Sequence, residues 1–337
     1  MRVWIAQRFL SSVLTLLGST LLIFILIRSV PGDPVLNLLG ERGAQPEVAE
    51  AMRQRMGLEK PLPLQYLRFV GQALKGDFGD SLITKESVSR EFWSRIPATL
   101  ELSLFALAWA FPLSLLIGCW AALRKGTLFD SFSMATSTLG YSMPLFWWAL
   151  MLIVVFSVML GWFPVSGRIE ISYEIPTVTG FYLIDAFFAE DKGPSFLSAF
   201  YHLILPGFVL GTIPLAMLTR IVRSSMIEIL SEDYIRTAHA KGLPLFAVVF
   251  KHALKNGLIP IVTGFGLLLC SLVTGAVLTE TIFSWPGVGR WIVKGLESRD
   301  YPLLQGGLLY LAFFVVAISF LVDLSYFYLN PKLRHEQ

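Results

Sequence analysis

Long apolar runs separated by short polar stretches set the pattern of this chain. A helix that crosses hydrocarbon needs about 20 mostly apolar residues. Six runs are long enough: Phe9–Ile27, Ala98–Leu123, Phe132–Leu160, Tyr201–Leu218, Leu258–Thr279 and Leu303–Leu324. Each is bounded by charges, Gly or Pro, which predicts an all-α membrane protein with six transmembrane helices. The first run follows Arg2 and Arg8 in the manner of a secretory signal. Its apolar stretch is too long for one, and no small-x-small cleavage site precedes RSVPGDP, so it reads as a retained helix.

The segments between the runs differ in kind. The first, 28–97, carries two helical patterns. PEVAEAMRQRMGL begins with Pro46 in the tolerated first turn, and PLQYLRFVGQALKG sets Leu64, Leu67, Val70 and Leu74 on one face. A small helical subdomain is expected there, as a packing cap over the bundle or as a docking surface. The second outer segment, 161–200, is rich in Gly and Pro and acidic, with Glu170, Glu174, Asp185, Glu190 and Asp191. The third holds TETIFSWPGVGRW, where Pro286-Gly287 favours a tight turn.

Lys and Arg in the short loops set the orientation. With the N-terminus inside, the inner segments hold twelve of them and the short outer loops only five, Arg168, Lys192, Arg290, Lys294 and Arg299. The remaining ten fall in 28–97, long enough to be exempt. Both termini are therefore expected in the cytoplasm, together with EDYIRTAHAKGL (232–243) in the longest cytoplasmic loop.

Composition narrows the function. Hydrophobic residues make up 55% of the 337 and charged residues 15%, against about 25% charged in soluble chains. The net charge of +3 is spread among interleaved acids, with no Lys/Arg block carrying aromatics, so nucleic acid is not expected as a partner. Cys119 and Cys270 lie in apolar runs and read as small hydrophobes. Four scattered histidines offer no metal centre. There is no G-x-x-x-x-G-K-[ST], H-E-x-x-H or G-x-S-x-G motif, so the chain is expected to be no enzyme and to hold no ATP site of its own.

Ionisable residues inside spans are functional candidates, but Glu101, Glu280 and Asp323 sit near span ends, where carboxylates snorkel or cap. In GYSMPLFWW, Pro144 frees backbone groups that Tyr141 and Ser142 could re-satisfy. The fifth run carries the small residues Gly264, Gly266, Ser271, Thr274 and Gly275. Tyr141, Ser142, Pro144, Ser271, Thr274 and Glu280 are thus candidates for a translocation path; the plainer reading is helix packing. A stand-alone secondary transporter would be expected to bury more charge at the midplane and to show an inverted repeat.

EDYIRTAHAKGL remains to be explained. As a helix over 233–241 it would be short, polar nearly all round and marginal alone. Gly242 suits a C-terminal stop, and Pro244 prevents simple continuation before LFAVVFKHALKNGL leads back to the membrane. That shape fits pressing into a groove on another protein, or an ordinary cytoplasmic loop.

The segment resembles the cytoplasmic loop of ABC importer permeases. Aligned on Gly242, Arg236-Thr237-Ala238 stand where the superfamily has Glu-Ala-Ala, and Leu254-Lys255 where it has Leu-Pro, as in the peptide/nickel branch. PGDP (31–34), GLEKPLPLQY (57–66), GDFGDS (76–81), PVSGR (164–168), TETIFSWPGVGR (279–290), RDYPLLQGG (299–307) and NPKLRH (330–335) extend the resemblance over essentially the whole chain. The family is the bacterial dipeptide/oligopeptide/nickel permeases, and VTGF (178–181) with LIDA (183–186) resembles its dipeptide B subunits.

The resemblance implies a type I ABC importer permease fold in the bacterial inner membrane. Residues 1–30 would form the N-terminus and first span, 31–97 a periplasmic helical loop, and 98–337 a five-helix core with a coupling loop at about 220–257. It implies import of dipeptides, or within the family of oligopeptide, glutathione or nickel substrates. Implied partners are a homologous permease subunit, two ATP-binding subunits, a periplasmic substrate-binding protein and membrane lipid. ATP and Mg would sit on the ATP-binding subunits, with no cofactor in this chain. Asp233, Arg236, Thr237, Ala238, Ala240, Lys241 and Gly242 would form the helix that seats in an ATPase groove.

Overall fold

The structure is a computed structural model that describes residues 2–29, 46–56 and 59–329. PGDP (31–34) and NPKLRH (330–335) lie outside the described residues. The elements described are helices joined by turns. In chain order they are α1 (Arg2–Ser29), α2 (Pro46–Met56), α3 (Leu62–Leu74), α4 (Val88–Leu123), α5 (Leu128–Ser142), α6 (Leu145–Leu152) and α7 (Tyr182–Asp185). Then follow α8 (Lys192–Leu230), α9 (Asp233–Ala240), α10 (Leu245–Ala247), α11 (Leu254–Ile282), α12 (Val288–Glu297) and α13 (Tyr301–Leu329).

Four helices, α1, α4, α8 and α13, are each long and apolar enough to cross a membrane. Two bent pairs bring the total to six if each is one span. The first pair corrects the expectation of a single helix over Phe132–Leu160. α5 and α6 meet at 101°, and α6 runs on into a wider π-helical turn over Ile153–Met159. The cause is Pro144: its ring excludes the helical conformation at the preceding residue, and Met143 is extended at φ −70°, ψ 131°. The second pair, Leu245–Leu258 with Pro260–Leu272, bends by 55°. α8 starts at Lys192 and ends at Leu230, well beyond the apolar run Tyr201–Leu218, and carries Pro206 and Pro214 inside it.

Packing groups the chain into two units. One comprises residues 2–97 and 286–317. Its core joins Ile23, Phe24 and Ile27 of α1 to Phe69 of α3 and to Leu304 and Leu309 of α13. The buried carboxylate of Asp300 accepts from the Ser81 hydroxyl at 2.6 Å and the Leu82 amide at 2.9 Å, which fixes the turn before α4. Of the apolar face that spacing marks on α3, Leu64, Leu67 and Leu74 are exposed, while Gln65 and Phe69 are the buried residues of the helix.

The other unit comprises residues 98–285 and the segment from 318 on. At one level Ala98, Leu102 and Ala106 of α4 meet Leu203 and Leu210 of α8, Leu272 and Ala276 of α11, and Trp285. At another, Val222 and Met226 of α8 and Ile261 of α11 enclose Ile235 and Ala238 of α9. α4 and α8 approach closely: a Cβ at Gly207 would lie 2.3 Å from the Phe105 ring, and one at Gly211 2.6 Å from Trp109.

Candidate coupling site

α9 is the helix read from EDYIRTAHAKGL, and it ends as the sequence predicts. Glu232 precedes it in an extended conformation. At its C-terminus the Leu243 amide donates to Ala238 O at 3.4 Å and the Gly242 amide to His239 O at 2.9 Å. This is the paired bonding of a Schellman motif, and it needs Gly242 in the left-handed region, where φ is +74°. Pro244 then holds the chain extended before α10.

Two side chains three apart hold α9 to the body. Ile235 and Ala238 are buried against Val222, Met226, Val248, Val249 and Ala253. Every other residue from Ser231 to Phe246 is exposed. Asp233 and Arg236 pair at 3.1 Å with their side chains 93% and 75% exposed, so the pair contributes little to stability and leaves both groups open to a partner. The Thr237 hydroxyl caps back to Asp233 O at 3.0 Å, while Ala240 and Lys241 face outward. Asn256 Nδ2 donates to the Tyr234 hydroxyl at 2.9 Å and ties α9 to the start of α11.

The exposed positions of α9 were legible in the sequence; its anchor was missed. Ile235 and Ala238, an i, i+3 pair on a short polar helix, were the available signal. Also missed were Phe246 and Phe250, exposed beyond Gly242 with ring centroids 4.5 Å apart.

The path candidates fall at three places. Tyr141, Ser142 and Pro144 are exposed at the break between α5 and α6, and the Arg220 guanidinium lies 5.8 Å from the Tyr141 ring. Ser271 is exposed on α11, its hydroxyl bonded back to Leu268 O at 2.9 Å, on a stripe with Leu267, Gly275 and Leu278. Thr274 belongs to the same helix, but its side chain lies outside the described residues. Glu280 is fully buried, and its Oε1 accepts from the Thr99 hydroxyl at 2.6 Å.

Glu101 does not snorkel as a span-end carboxylate was expected to. It is buried, with Oε2 accepting from Arg168 Nε at 3.0 Å and Oε1 from the Leu183 amide at 2.8 Å. Arg168 also donates to Gly180 O at 2.7 Å and stacks 3.8 Å above the Tyr182 ring. Asp185 closes the same loop by accepting from the amides of Val178, Thr179 and Gly180 and from the Thr179 hydroxyl. Burial pushes its carboxyl up, but those four bonds outweigh it and hold the group below the usual carboxylate range. The segment read as an acidic loop is thus stapled to α4 by buried charge.

Two family profiles match the chain. Residues 114–335 match the family described as binding-protein-dependent transport system inner membrane component, and residues 1–103 match its N-terminal region. Among curated proteins, the di/tripeptide transport system permease protein DppB of Pseudomonas aeruginosa (strain UCBPP-PA14) is 52% identical over 99% of both chains. The dipeptide transport system permease protein DppB of Escherichia coli (strain K12) is 46% identical over 96% of both. The oligopeptide transport system permease protein AppB of Bacillus subtilis (strain 168) is 37% identical over 99% of this chain and 100% of its own. Among solved structures, a chain of the MetNI methionine ABC transporter in inward-facing conformations is similar in fold, with a TM-score of 0.50 at 16% identity over 72% of this chain and 96% of that one. With matched profiles at both ends and relatives that align end to end, the chain belongs to the family of inner membrane components of binding-protein-dependent transport systems.

Proposed function

We propose that this chain is a permease subunit of an ATP-dependent importer of dipeptides, and that α9 is the handle through which separate ATPase subunits move it. The observation that carries the reading is the one-sided anchoring of α9: two buried apolar residues and a Schellman stop hold its place, and its remaining surface is open. A polar helix of eight residues has no stability of its own to justify that arrangement. The dipeptide assignment rests on the names of relatives at 46% and 52% identity.

In this reading the termini and α9 face the cytoplasm, as the Lys/Arg balance favours. A homologous permease completes the membrane part, two ATP-binding subunits hold ATP and Mg, and a periplasmic binding protein delivers cargo. Tyr141, Ser142, Pro144 and Ser271 are the path residues with surface to offer, and Glu280, bonded to Thr99, serves to hold α11 to α4 in this conformation.

The test is charge reversal on the handle in the assembled importer, Arg236→Glu with Lys241→Glu. ATP hydrolysis is expected to continue while dipeptide uptake per ATP falls at least tenfold. Normal uptake by a complex that assembles normally would show that α9 is not the handle.

A further inference from the structure

α3 is tied at both ends to positions inside spans. At its first turns, the Tyr66 hydroxyl meets that of Thr20 at 2.9 Å, Phe24 packs on both Tyr66 and Phe69, and Arg28 Nε donates to Gln65 Oε1 at 3.0 Å. Thr20 lies nine residues inside the end of α1 at Ser29, about 13 Å along the helix. Just past the other end of α3, the Gly76 carbonyl accepts from the Tyr310 hydroxyl at 3.1 Å. Tyr310 lies nine residues inside α13, again about 13 Å. Its ring sits among Phe78, Phe92 and the exposed Trp93, the residue types that gather at a membrane–water boundary.

At 100° per residue α3 shows three sides. Gln65, Tyr66, Phe69 and Ala73 pack on α1 and its neighbours. Leu64, Leu67 and Leu74, with Gly71 among them, form a second side, exposed by 53%, 66% and 85% for the leucines, and a Cβ at Gly71 would meet nothing within 4 Å. Arg68 and Gln72 form a narrow third side, also exposed. A helix resting in water needs only a packed side and a polar one. One at the edge of hydrocarbon needs the third. At the same depth α1 also exposes leucine and isoleucine side chains, Leu22, Ile25 and Leu26, so apolar groups face outward from both helices at this level.

We propose that α3 is an interfacial helix embedded in the membrane leaflet at the Ser29 end of α1. Leu64, Leu67 and Leu74 enter the acyl chains there, and Arg68 and Gln72 reach the headgroups. It is a lipid contact rather than a surface for a binding protein.

The test places nitroxide labels at Leu64→Cys, Leu67→Cys and Arg68→Cys, one at a time, in the complete importer reconstituted in phospholipid vesicles, with Cys119 and Cys270 replaced by Ala and transport verified. Collision with dissolved oxygen, which concentrates in hydrocarbon, is compared with collision with a water-soluble nickel chelate. At Leu64 and Leu67 oxygen collisions are expected to exceed nickel collisions several-fold, with the ratio reversed at Arg68. Nickel access at Leu67 equal to that at Arg68 would overturn the proposal, since the leucine side would face water. Low access to both reagents at Leu64 and Leu67 would overturn it equally, since a protein partner would then cover that side.

Discussion

The buried pair Glu101–Arg168 makes the sharpest energetic prediction. Both side chains are less than a tenth exposed, and no second carboxylate contacts Arg168 among the described residues. Arg168→Met keeps the volume of the stem but leaves the buried Glu101 carboxyl served only by the Leu183 amide. Breaking a buried pair from one side costs about 3–5 kcal/mol. Glu101→Gln leaves the guanidinium with the Gly180 carbonyl and the Tyr182 face, and should cost a similar amount, about 3 kcal/mol. The double variant removes both charges and should cost less than the sum, with a coupling of about 1–3 kcal/mol. The assay is unfolding of the purified chain in mixed micelles of rising denaturing-detergent content, with protease cleavage in 161–191 as a local readout. At about 1.4 kcal/mol per decade, the population with that loop open should rise roughly a hundredfold or more in either single variant. Single variants that each cost less than about 1 kcal/mol, or a double variant equal to their sum, would refute the claim that this pair staples the 161–191 loop to α4.

Two further predictions follow from local geometry. A Cβ added at Gly242 would meet no atom within 4 Å, so Gly242→Ala costs only the left-handed backbone, about 1–2 kcal/mol. Amide protection at Lys241 and Leu243 should fall about 5- to 30-fold, with Gly242→Asn intermediate; unchanged exchange in the Ala variant would remove the Schellman stop from the account. Asp185 has its carboxyl held below the usual range, so its contribution is complete above the unfolded carboxylate pKa of about 3.9 and is lost as pH falls through the lower folded value. Protection of the Val178, Thr179 and Gly180 amides should therefore be flat from pH 8 to 5 and decline only below about pH 4, and a midpoint near pH 6 would contradict that assignment.

Much of this molecule is legible in its sequence because hydrocarbon is an undemanding solvent to recognise. Five of the six apolar runs fall within single helices, one of them bent by 55° near its start, and Gly242 with Pro244 marked the end of α9 to within a residue. The extension of α8 from Tyr201 back to Lys192 was not legible, since helix outside the membrane carries no hydropathy signal. The packed side of α3 was not legible for a related reason. Apolar spacing finds the side that avoids water, and next to a membrane that side need not be the one that packs on protein. Glu101 and Arg168 could not have been paired in advance, because 67 residues separate them and each alone resembles an edge charge.

The close approach of α8 to α4 at Gly207 and Gly211 also fixes how motion can travel. At 1.5 Å per residue the 39-residue helix is about 58 Å long. The ring of Trp109 stacks on Phe208 at 4.9 Å, and a second close approach lies further along α8, where a Cβ on Gly118 of α4 would be 2.7 Å from Val222. Held at two levels, α8 cannot tilt alone: α4 has to move with it, so any displacement at Leu230, next to α9, is shared by both helices.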